Sequence, residues 1–163
     1  MKNLSTIVVV IVIVLLLGAG FMVWQNSQSQ PAKPAAAPVS MIKKVDLSTQ
    51  PQWVQMLKVT AKKGVSANSL ANFTLTVDNM PKGMVSNFNY VVQYETSNKG
   101  TQGALSSKPI VVSGATVATK TIDLGTCSTK SCVRHDGVTS VEVELDFTTT
   151  SGDTPVWTGT ISL

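Results

Sequence analysis

The sequence predicts an all-β domain, an antiparallel sandwich of about seven strands, preceded by one N-terminal transmembrane helix. Three observations carry this expectation. Residues 7–24 form a continuous run without a charge, and several later segments alternate apolar and polar residues with period two. Short signals rich in Gly, Pro, Asn and Ser separate those segments. A chain of 163 residues allows one domain of ordinary size and excludes a two-domain enzyme. Charged residues make up 13%, about half the usual share, and hydrophobic residues 43%, which fits a chain partly in lipid.

The first element is the membrane segment, assigned to residues 1–24. Its 18 uncharged residues, 7–24, would form a helix about 27 Å long, close to the ~30 Å hydrocarbon core. A helix closes its backbone hydrogen bonds internally, so it can cross lipid alone. Trp24, followed by polar Gln25 and Asn26, stands where an interfacial aromatic anchor belongs. The alternative is a cleaved signal, with Lys2 as its basic start and Gly18-Ala19-Gly20 as small residues for a peptidase. Phe21, Met22, Val23 and Trp24 continue the apolar run past that site, which favours an anchor. Lys33, Lys43 and Lys44 lie close beyond the run, so the positive-inside rule does not fix the orientation. A Thr-rich β domain, two close cysteines and the sequon Asn72-Phe73-Thr74 favour a cytoplasmic N-terminus and an extracytoplasmic domain.

Residues 25–40 hold three Pro, four Ala and several small polar residues. That composition cannot bury a core, and it reads as a tether. From residue 41 to 163 the period becomes two. Val141, Val143, Leu145 and Phe147 alternate with Glu142, Glu144, Asp146 and Thr148, the pattern of a half-buried antiparallel strand. Phe73, Leu75 and Val77 form a second such series; Phe88, Tyr90, Val92 and Tyr94 a third; Leu57, Val59 and Ala61 a fourth. Residues 110–112, 117–124 and 156–163 complete the set. Turns are expected at Lys63-Gly64, Pro81-Lys82-Gly83, Asn98-Lys99-Gly100, Ser113-Gly114, Asp136-Gly137 and Ser151-Gly152-Asp153. Seven short strands in such a length fit an immunoglobulin-like or fibronectin-III-like arrangement.

The strand Phe73-Thr-Leu-Thr-Val77, running into Asp78-Asn79-Met80-Pro81, and the hydrophobic return over 117–124 resemble CARDB-type and FxLYD-type extracytoplasmic domains. That resemblance implies a tethered module for binding or scaffolding. The N-terminal Lys2-Asn-Leu-Ser-Thr-Ile-Val-Val-Val10 also resembles the processing region of archaeal pilins. The Pro-rich tether departs from their assembly helix, which runs straight into the head domain.

Cys127 and Cys132 are the sharpest local feature. In an oxidising compartment they are expected to form a disulfide across a turn. The competing reading is metal, because Cys127, Cys132 and His135 offer three soft donors with Asp136 adjacent. His135 is the single histidine, so any Ser-His-Asp or Cys-His arrangement would have to use it. No nucleotide-binding, zinc-protease or nucleophile-elbow motif occurs. No catalytic residue, resident metal, cofactor or small-molecule substrate is therefore expected. Twelve of the 13 basic residues are Lys, and from Met41 onward 11 basic face 9 acidic residues. This balance lacks the dense basic stripe of a nucleic-acid binder.

Glu142, Glu144 and Asp146 should line one exposed strand face, a solvated surface or a contact for a partner. Residues 155–163 carry Thr158, Thr160 and Ser162 and lack Lys and Pro in the body of the strand, so an edge position would leave their backbone free to pair with another chain. The reading that emerges is a non-enzymatic, single-span protein whose partners are membrane lipid and other protein subunits. A pilin-like filament or virion-associated subunit is the alternative, and a metal-binding electron-transfer accessory protein a more distant one.

Overall fold

A computed structural model describes residues 41–66, 70–128 and 131–163. The expected membrane segment, Trp24 and the tether lie outside the described residues. Among the described residues no helix is long and apolar enough to cross a membrane.

The domain is all-β with antiparallel pairing throughout. Ten strands follow a single-turn 3-10 helix at Leu47–Thr49 and a short helix α1 at Gln52–Gln55. They are β1 (Lys58–Val65), β2 (Ala71–Asp78), β3 (Val85–Thr96), β4 (Gly100–Leu105) and β5 (Ile110–Val111). Then come β6 (Ala118–Asp123), β7 (Gly125–Cys127), β8 (Cys132–Arg134), β9 (Ser140–Thr149) and β10 (Val156–Ser162). One sheet has the order β1-β2-β6. A larger one runs β10-β9-β3-β4, with β5 also on β3, and β7 pairs β8 apart from both.

The expectation of about seven strands is corrected to ten among the described residues. The additions are β4, β7 and β8. The first is built on Gly-Thr-Gln-Gly-Ala-Leu, and the other two have three residues each, so none shows an apolar alternation. The turn expected at Lys63-Gly64 is also corrected, because both residues lie inside β1. Gly64 pairs with Asn72, whose Oδ1 would stand 2.6 Å from a Cβ there. Glycine at 64 thus makes room for a neighbour and marks no turn. At the other expected turns Gly83, Gly100, Gly114, Gly137 and Gly152 have positive φ, the conformation that selects glycine.

Period two sorts the residues of both larger sheets. Phe73, Leu75, Val77 and Ile122 come from the first sheet. Phe88, Val92, Val141, Val143, Leu145 and Phe147 come from the second, and all share one core. Four residues of β9 (Val141, Val143, Leu145 and Phe147) are at most 1% exposed, as their alternation predicts. Helix α1 adds Trp53, whose ring meets Phe147 edge-on at 5.3 Å, and the fully buried Val54. Phe88 packs on the same Phe147 at 5.6 Å. Such aromatic pairs add about 0.5–1.5 kcal/mol beyond burial.

Candidate interaction surface

The register of the larger sheet fixes which residues share its outer face. Glu144 on β9 lies between Thr158 of β10 and Val91 of β3, and Glu142 lies between Thr160 and Gln93. Gln93 in turn faces Gly103 of β4. Residues 41–45 cross this face like a strap, passing the strands in the order β4, β3, β9, β10. Met41 sits against Gly103, at a point where an added Cβ would collide with its methyl group. The Met41 N–H donates to Gln93 Oε1 at 2.8 Å, and the Lys43 N–H donates to Glu144 Oε2 at 2.6 Å. Val45 exchanges longer hydrogen bonds with the Thr158 hydroxyl at 3.4 Å. Ile42 is buried at 8% exposure, so the strap adds apolar contact to its hydrogen bonds.

This arrangement corrects the expectation for Glu144. Its side chain is 7% exposed, and the chain's own strap covers it. A carboxylate is tolerated there because the Lys43 N–H donates a charge-assisted bond, the stronger kind of hydrogen bond. Glu142 and Asp146 are half-buried. The acidic stripe is thus one covered carboxylate between two that remain partly open. A groove of about 250 Å³ lies between the strap and β10, lined by Ile42, Lys44, Glu142 and Thr160 among others.

β10 is an edge strand. The Phe147 N–H bonds to Pro155 O, and the Leu163 N–H bonds to Thr139 O. Those two bonds set the parity of the ladder. Trp157, Gly159 and Ile161 turn their N–H and C=O groups toward β9, and Val156, Thr158, Thr160 and Ser162 turn theirs away. The Val156 N–H is met by Gln50 Oε1 at 2.9 Å. The backbone groups of Thr158, Thr160 and Ser162 meet no strand among the described residues. Thr160 and Ser162 are exposed.

Cys127 and Cys132 are joined by a disulfide with Cα atoms 4.0 Å apart. They face each other across β7 and β8, and both are exposed. With the sulfurs bonded to each other, neither is a thiolate available to a metal. Among the described residues no group of three or more His, Cys, Asp or Glu could hold a metal ion. His135 is buried at 6% exposure, and its Nδ1 lies 3.0 Å from the Tyr94 hydroxyl. Burial pushes the Tyr94 phenol above its ordinary value. The two rings also pack against each other, with centroids 5.9 Å apart. Asn72 of the sequon is 7% exposed in the middle strand of the smaller sheet, which leaves a glycan no room in the folded domain.

The sequence reading missed the strap altogether. Its one visible sign is the apolar pair Met41-Ile42 between the tether and Lys43-Lys44. No family model, curated protein or solved structure matches this chain.

Proposed function

We propose that this chain is a membrane-anchored, non-enzymatic module. It displays an immunoglobulin-like β-sandwich outside the cytoplasm and works as a binding or attachment subunit within a larger assembly. The observation that carries the reading is the uncharged run over residues 7–24, set ahead of a tether and a disulfide-bonded β domain. An exposed disulfide persists in oxidising compartments, which supports an extracytoplasmic position. An edge strand whose outward backbone groups meet no strand among the described residues supports contact with protein rather than turnover of a small molecule.

Topology tests the proposal. Protease added to intact cells should cut within residues 25–40 and release a fragment close to the domain in size. Complete protection of the domain, in cells whose known surface proteins are digested, would overturn it.

A further inference from the structure

We propose that β10 is a self-association edge. Two copies of this chain would pair their β10 strands antiparallel about Thr160 and join two sheets into one. The inference rests on the anchored-module reading, because copies held in one membrane meet at a raised effective concentration and a short interface then suffices.

The register follows from the backbone. An antiparallel ladder places outward-pointing residues of one strand opposite outward-pointing residues of the other. On β10 these are Val156, Thr158, Thr160 and Ser162, and Gln50 already occupies Val156. Centring the pair on Thr160 sets Thr158 opposite Ser162 and Thr160 opposite its own copy. All three positions whose backbone meets no strand among the described residues are then used, with Thr160 and Ser162 exposed and Thr158 half-buried beside Val45, and the Gln50 bond survives. The register one step nearer the start of the strand, which sets Thr158 opposite Thr160, would bring Val156 into the ladder and displace Gln50.

The side chains agree with this geometry. Hydroxyl pairs across strands are favourable, and the exposed Thr160 pair would lie on the outer face, while the Thr158 hydroxyl stays with Val45. Residues 156–163 contain no charge, so no like charges meet when the strand faces itself. The body of the strand lacks the Lys and Pro that commonly block edges. β4 is the less suitable edge, because Met41 sits against its Gly103 and charged Glu95 and Lys99 flank its turn.

Cysteine cross-linking of the full chain in lipid vesicles tests the proposal. Thr160→Cys should form a disulfide-linked dimer under mild oxidation, because directly opposed residues bring their Cα atoms to about 5.5 Å, within disulfide range. Thr119→Cys, exposed on β6 of the other sheet, gives the collision background. The expected rate at position 160 exceeds that background by about tenfold or more, as a pre-formed pair reacts intramolecularly. A mixture of Thr158→Cys and Ser162→Cys chains should cross-link faster than either alone, and this arm decides the matter if Thr160→Cys fails to fold. Cross-linking at 160 no faster than at 119 would overturn the proposal and point to a foreign strand or none. Self-linking at 158 as fast as the mixture would overturn it too, by placing the strand in another register. Either failure would leave the protease topology result standing, so the two readings fail separately.

Discussion

The two faces of β9 are closed by different means. On the inner face Val141, Val143, Leu145 and Phe147 meet side chains from both larger sheets and the Trp53 ring. On the outer face Glu144 meets a strap of the same chain, held mainly by backbone N–H donors and the apolar Ile42. The inner face draws on apolar area and close packing, which are non-directional and cumulative. The outer face draws on a few directional bonds, each worth little on balance but costly when a buried partner is left alone. One strand can therefore carry a core that every residue helps to build and a surface contact that hangs on single atoms.

The widest separation between the faces should appear in Phe147→Ala. The substitution removes a ring packed against Trp53 and Phe88 and leaves a cavity. It should cost about 3–5 kcal/mol in chemical unfolding, a large part of a domain's usual 5–15. A cost within about 0.5 kcal/mol, the range of surface changes, would mean that β9 does not present this face to the core.

Glu144→Ala comes next. It removes the acceptor of the Lys43 N–H, and the strap can then lift into water instead of keeping an orphaned donor. The expected loss is about 1.5–3 kcal/mol, the range for a bond to a charged group. Hydrogen exchange should show Met41 and Lys43 losing protection while the β9 amides keep theirs. Protection lost equally along β9 would mean that Glu144 supports the sheet rather than the strap.

The alternation of β9 made its inner residues legible because period two reports which side chains share a face. The same logic identified Phe73, Leu75 and Val77 on β2 and Phe88, Tyr90, Val92 and Tyr94 on β3. It could not say what covers the polar face. The partner of Glu144 is a backbone N–H 101 positions away, and a backbone donor leaves no mark in residue type. β4 escaped for a related reason: Gly100 and Gly103 remove the side chains on which a pattern would be written. β7 and β8 are too short for any period, and the two cysteines were their only legible sign.

Gly103→Ala probes the strap from the strand beneath it. A Cβ there would collide with the Met41 methyl and lie 2.9 Å from the Val92 carbonyl oxygen. Crowding costs about 1–3 kcal/mol, offset by about 0.5–1 from replacing a strand glycine. A net loss near 1 kcal/mol is expected, with the exchange protection of Met41 reduced and that of Val143 unchanged. Unchanged protection at Met41 would mean that the strap accommodates the methyl group and is held from Glu144 alone.

The smallest effect should come from Glu142→Gln, two positions before Glu144 and on the same face. Both are glutamates of β9, and the alternation treats them alike. Glu142 is half-buried, whereas Glu144 is buried and accepts the Lys43 N–H. Gln keeps the shape and removes only the charge, so the change should stay within about 0.5 kcal/mol, as for surface substitutions. Denaturant midpoints of Glu142→Gln and Glu144→Gln, measured side by side, compare the two positions at constant shape. Glu144→Gln should shift further, because its neutral amide oxygen accepts a weaker bond from Lys43 than the carboxylate does. Equal shifts would mean that the outer face responds to its summed charge rather than to the Lys43 contact. The contrast between a face built from many contacts and a face hung on one bond would then fail at its most specific point.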